Sequence, residues 1–261
     1  MTQPDRKPDA ETPGTSSGLG AVDKALQVLL HLHREREDCG VTTIGRALGL
    51  PKSTTHRLLA ALSRRGFVER DGRGRYRPGV ALISLGLGAL EQEPVAALAA
   101  PVLERLAEDS GETVFLSAIR SGSLLVLDKR EGKGFLRASP RIGAELPFHA
   151  TAIGKLYLAL DPQSCPEPER VRFTDHTLTT TSLLQSSLAM IADRRWAAQS
   201  GEWVPGLSGV AAPIVVRERV VAALAISGPS SHLDGPNRNL FVALARSGAD
   251  EIASRMNGSS E

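Results

Sequence analysis

The chain has 261 residues, of which 41% are hydrophobic and 23% charged, a composition that suits one or two folded globular domains and excludes disorder of the whole chain. The formal net charge of +2 hides an asymmetry, since residues 19–79 carry 12 Lys/Arg against 6 Asp/Glu and residues 80–261 carry 17 against 20. Cys39 and Cys165 are too few for a disulfide framework or a zinc site, and the longest apolar run, residues 80–90, is too short to span a bilayer. A reducing, cytoplasmic setting is expected, with no metal, no cofactor and no membrane.

The first eighteen residues are rich in Pro, Gly, Ser, Thr and charge and are expected to form a disordered tail. Within them Gly14-Thr15-Ser16-Ser17-Gly18 matches the G-x-S-x-G nucleophile pattern, but that chemistry needs a strand before the serine and a helix after it. From Val22 to His33 apolar residues recur at helical spacing and predict a first amphipathic helix. A short second helix is expected through Leu48, capped by Thr42 or Thr43, with Gly45 a poor residue for it. Gly49 suits the turn that follows, Pro51 the first position of a third helix, Leu58, Leu59 and Leu62 its buried stripe, and Gly66 its left-handed end. Residues 67–70 and 75–77 then read as two strands joined by Asp71-Gly72-Arg73-Gly74. That order describes a winged helix-turn-helix over residues 19–79.

Residues 80–111 read as helical in two pieces broken near Pro94, which makes residues 80–93 a linker helix and leaves residues 94–258 as a second domain. There, residues 113–119 and 124–129 predict a hairpin around Arg120-Ser121-Gly122-Ser123, and residues 209–216 and 220–227 a second around Arg217-Glu218-Arg219. Helices are expected at 151–160, 182–195 and 237–256. Strands and helices mixed in this way indicate an α+β fold on an antiparallel sheet.

The start of the third helix presents Lys52, Ser53, Thr54, Thr55, His56 and Arg57, groups suited to phosphates and base edges, with Thr42 and Thr43 on the preceding helix. Arg73 and Arg75 in the wing would lie against the backbone or a narrow minor groove of a double-stranded DNA operator. Other constellations are weak. His31 and His33 point to different sides of a helix, Asp175 and His176 fall in a threonine-rich loop, and Gly154-Lys155 lacks the earlier glycine of a phosphate loop.

The segments LGLPKSTTHRLLAAL and RGFVERDGRGRYRPG resemble the DNA-binding domain of the IclR family of transcriptional regulators. GETVFLSAI, RIGAELPFHATAIGK, PGLSGVAAPI and VVAALAISGP continue the resemblance, in order, over residues 19–258. The resemblance implies a GAF-like (profilin-like) effector-binding domain, a homodimer made through the DNA-binding domains, and a homotetramer on longer operators. It also implies a small-molecule effector seated by the loop from His149 to Lys155, whose helix start offers backbone N–H groups to a carboxylate. The matching pocket positions are Phe148, Ala152, Ile153, Gly154, Gln199, Gly209, Val210, Ala225 and Ser227.

The chain departs from the family pattern at three of these. Gln199 stands where members with small carboxylate effectors carry an acidic residue, Gly209 where cysteine is common, and Ala225-Ile226-Ser227 where a serine-x-serine pair is common. Polar groups are lost, so a carboxylate of moderate size with an apolar body is expected rather than a two- or three-carbon acid, with Trp203 a candidate apolar wall. The expectation is a metabolite-controlled, sequence-specific regulator, with repression favoured over activation. The alternative is an enzyme or metabolite-sensing interaction protein whose winged helix serves only for dimerisation; no nucleophile with a positioned base supports the enzyme.

Overall fold

The computed structural model describes residues 20–35, 37–134 and 140–258, so the expected tail and its G-x-S-x-G match lie outside the described residues. The chain divides between Ala89 and Leu90 into two compact units.

In the N-terminal unit α1 (Ala21–Arg34), α2 (Val41–Ala47) and α3 (Lys52–Arg64) pack around Val28, Leu32, Ile44 and Leu59. The antiparallel pair β1 (Val68–Arg70) and β2 (Tyr76–Pro78) adds Val68 and Tyr76 to that core. Cys39 exchanges backbone hydrogen bonds with Tyr76 at 3.0 and 2.8 Å, which gives the wing sheet a third, one-residue strand. α4 (Val80–Glu91) follows and has no buried residue. The left-handed turns fall at the expected glycines, with φ of 63° at Gly49 and 72° at Gly66.

Two local expectations need correction. The N-cap of α2 is Gly40, not Thr42 or Thr43, because Val41 packs against the core and draws the chain into the helix before the threonines, which stay exposed in the first turn. Pro51 is likewise the N-cap of α3, which begins at Lys52. Gly45 has a packing reason that outweighs its poor propensity. A Cβ there would lie 3.0 Å from both the Leu50 carbonyl oxygen and Thr55 Oγ1, so the missing side chain lets α2 and α3 close on each other.

The second unit is built on a five-stranded, wholly antiparallel sheet. In chain order its elements are α5 (Pro94–Ser110), β3 (Thr113–Arg120), β4 (Ser123–Arg130), α6 (Ala152–Leu160), α7 (Thr181–Arg194), β5 (Ala197–Ser200), β6 (Leu207–Val216), β7 (Arg219–Pro229), α8 (Ser230–Leu233) and α9 (Arg238–Gly258). The sheet order is β4-β3-β7-β6-β5. α5 and α9 cover one face through Val102, Leu106, Ala245 and Ile252, while α6 and α7 cover the other through Ile153, Leu156 and Ile191. The β6–β7 hairpin turns on Arg217 and Glu218, at φ of 47° and 66°, a two-residue connection whose twist matches the strands. β5 and α8 had no expected counterpart, each being four residues long.

Candidate functional site

At the start of α3, Lys52, Ser53, His56 and Arg57 are exposed and Thr54 is half-buried. Thr55 is not available to a ligand. It is 0% exposed, and its hydroxyl donates to the Pro51 carbonyl at 3.1 Å, because it lies one helical turn before the core residue Leu59. Thr42 and Thr43 are exposed on α2. In the wing, Asp71 organises the turn. Its carboxylate accepts the backbone N–H groups of Arg73 at 2.9 Å and Arg75 at 2.7 Å and pairs with Arg75 Nε at 3.3 Å. Those bonds, first the one from the Arg75 backbone, hold Asp71 below the usual carboxylate range. Arg73 is thereby left exposed at the tip, Arg75 is paired, and Arg70 lies 5.8 Å over the Tyr76 ring. The role of Asp71 was missed in the sequence, although Asp followed by two glycine-spaced arginines is an Asx-type turn signal.

In the second unit a cavity of about 30 Å³ lies between α6 and the sheet. Ala152, Ile153, Gln199, Gly209, Ala225 and Ser227 all line it, joined by Phe115, Pro140, Leu146, Thr151, Trp203 and Leu207. Strand register explains the floor. Gln199 pairs with Gly209 and Gly209 with Ser227, and the neighbouring row runs Ala211, Ala225, Phe115, so side chains of one parity collect beneath α6. Val210 has the other parity and is buried against α5 and α9, so it is not part of the cavity.

The α6 start follows from Thr151, whose hydroxyl donates to the Pro147 carbonyl at 2.8 Å and accepts the Gly154 N–H at 3.0 Å. A Cβ at Gly154 would fall 2.4 Å from the Phe148 Cα and carbonyl oxygen. Gly154 and Phe148 therefore seat the helix and do not line the cavity. The N–H groups of Ala152 and Ile153 are the ones that helix geometry leaves without an intrahelical partner, and both residues face the cavity. Gln199 donates to the Leu207 carbonyl at 3.1 Å and accepts the Glu202 N–H at 2.9 Å, and the Ser227 hydroxyl donates to the Ser208 carbonyl at 3.2 Å.

A buried ion pair that no sequence pattern announced follows Gly154 on α6, Lys155 Nζ to Glu202 Oε1 at 2.6 Å. Burial outweighs their attraction, holding the Glu202 carboxyl above and the Lys155 ammonium below their ordinary values. A separate cleft of about 770 Å³ at the far end of α6, near Arg120, Tyr157 and Asp161, includes none of the expected residues. Among the described residues no cluster of three or more His, Cys, Asp or Glu could hold a metal ion, and no single helix is long and apolar enough to cross a membrane.

Residues 21–72 match the IclR helix-turn-helix domain and residues 87–254 the C-terminal domain of the bacterial transcriptional regulator IclR. The chain belongs to the IclR family. It is 32% identical to the glycerol operon regulatory protein of Streptomyces coelicolor, over 90% of this chain and 95% of that protein. It is 30% identical to the acetate operon repressor of Salmonella typhimurium, over 95% and 93%. The crystal structure of Thermotoga maritima IclR aligns at a TM-score of 0.74 and 26% identity, covering 90% of this chain and 97% of that one. An IclR homologue from Microbacterium hydrocarbonoxydans, complexed with 4-hydroxybenzoate, shares the fold at a TM-score of 0.80 and 24% identity, covering 92% and 100%. This IclR-family chain is a DNA-binding transcriptional regulator and not an enzyme, which removes the catalytic alternative.

Proposed function

We propose that the chain represses transcription in the cytoplasm by binding a double-stranded operator as a homodimer, and that a carboxylate effector in the second unit controls that binding. The observation that carries the DNA half is the exposed set Lys52, Ser53, His56 and Arg57 on the open turn of α3, in a unit whose wing displays Arg73. Lys52 and Ser53 hold phosphate, and His56 and Arg57 reach base edges. Repression is favoured because several relatives are named repressors.

The effector half rests on the cavity at the α6 start. Its two helix N–H groups without an intrahelical partner suit a carboxylate, and the rest of its described lining is mostly apolar, from Phe115, Leu146, Ile153, Trp203, Leu207 and Ala225. With Gln199 and Ser227 both bonded to backbone, few polar groups remain to hold a very small acid in register, which supports an acid with an apolar body.

A gel shift on the promoter region beside the chain's own coding sequence tests this reading. Selective binding at moderate salt is expected, with Lys52→Ala and Arg57→Ala each weakening it by about 1–3 kcal/mol. Binding that is absent, or indifferent to both substitutions, overturns it.

A further inference from the structure

The cavity as it stands is too small for the ligand its lining suits. One water needs roughly 10–15 Å³, so 30 Å³ holds a pair of waters and no ring. Beside it lies a cleft of about 470 Å³ bounded by Phe148, His149, Pro166, Pro168 and Phe173. Leu146 and Trp203 line both spaces and so form the wall between them.

We propose that cavity and cleft are two chambers of one effector site, divided by Trp203 as a gate. The ligand is a monocarboxylate with an aromatic body whose far end carries a hydrogen-bond donor, not a second anion. This rests on the reading of the cavity as the effector site. Joined, the chambers offer about 500 Å³, within the roughly 300–1,000 Å³ of small-molecule pockets. The cleft walls are flat and apolar, with His149 and Phe173 stacked at 5.6 Å and His149 Nε2 fixed on the Val171 carbonyl at 2.8 Å. Its rim carries Glu145, Glu167 and Glu169, and among the described residues no Lys or Arg lines it, so a phenol or ammonium is welcome there and a carboxylate is repelled.

The backbone around Trp203 is tied down. The Glu202 carbonyl accepts the Thr177 hydroxyl at 2.7 Å, the Gly201 carbonyl accepts the Thr174 hydroxyl at 2.6 Å, and the Gly201 N–H donates to the Leu207 carbonyl at 2.8 Å. Rotation of the half-buried Trp203 side chain, with the loop in place, is therefore the motion that joins the chambers.

The test uses the full chain carrying Trp196→Phe, which leaves Trp203 as its one tryptophan. Calorimetry and Trp203 emission are followed with 4-hydroxybenzoate, terephthalate and pyruvate as probes. The expected result is 4-hydroxybenzoate binding with a shift in Trp203 emission, terephthalate at least tenfold weaker, and terephthalate recovered in Glu167→Gln/Glu169→Gln. Trp203→Ala opens the wall and serves as the second variant, its 4-hydroxybenzoate binding read by calorimetry alone. An unchanged Trp203 emission on 4-hydroxybenzoate binding, or equal binding of terephthalate, overturns the two-chamber site. Tight pyruvate binding with Trp203 unmoved overturns it too, yet leaves the effector cavity standing. No binding of any probe by either the Trp196→Phe chain or Trp203→Ala overturns both.

Discussion

Lys155 and Glu202 sit together in a layer that is otherwise Ile153, Leu156 and Ile191, so their charges are bought with desolvation. The direction of each shift gives the pH consequence. Glu202, held above its ordinary 4.5, favours the native state below about pH 4.5, and that benefit is lost as pH rises through the raised native value. Lys155, held below 10.5, favours the native state above about pH 10.5 and loses that benefit as pH falls through its lowered value. At neutral pH the pair therefore costs stability relative to neutral groups, and only the partner makes either charge tolerable. Lys155→Met and Glu202→Leu are each expected to lower unfolding free energy by about 3–5 kcal/mol, while the double substitution loses far less than the sum. Urea unfolding of the four proteins measures this. Additive losses would show that the two side chains do not depend on each other.

At the scale of elements, the α2–α3 corner depends on a side chain that is absent. Gly45→Ala improves helix propensity by about 1 kcal/mol but sets a Cβ 3.0 Å from the Leu50 carbonyl oxygen and Thr55 Oγ1. Thr55 can give way and the Leu50 backbone cannot, so crowding of about 1–3 kcal/mol wins and a net loss is expected on thermal unfolding. A variant at least as stable as the parent would show that the corner has slack. The same corner shows what was legible beforehand. Gly49 and Gly66 announced the turns because only glycine adopts their φ cheaply, and the leucines announced α3. Thr55 was misread because its polar side chain suggested solvent, although its position four residues before Leu59 already placed it inside. In the second unit LSGVAAPIVV is apolar on both strand parities, so nothing in the sequence separated Gly209 from Val210. That distinction needed β6 paired with β5 and β7, as did the placing of Phe115 opposite Ala225. The α6 start was legible as the helix expected from residue 151, whereas the Lys155–Glu202 pair joins residues 47 apart and no local pattern could announce it.

At the scale of the whole molecule, α1 has two apolar faces. Val28 and Leu32 enter the core, while Val22, Leu26 and Leu30, spaced four apart, are 73%, 52% and 54% exposed. α4 adds exposed Val80, Ile83 and Leu87. An apolar stripe of this length on a folded unit marks an association surface, and a second copy of the same stripe is its simplest partner, since a two-fold pairing is self-complementary. A two-fold pair brings two copies of α3 to one duplex, where half-sites lie about 34 Å, one turn of DNA, or a multiple of it apart. Leu26→Glu/Leu30→Glu places charge on the stripe without touching the core, so its circular dichroism melt should match the parent. Its mass by light scattering should fall from two chains to one. Binding to a two-half-site duplex should weaken at least a hundredfold while a single half-site duplex is bound nearly as before, because the loss is of avidity and not of contacts. A fall from four chains to two would identify a second, independent interface, and an unchanged mass would show that this stripe does not hold copies of the chain together.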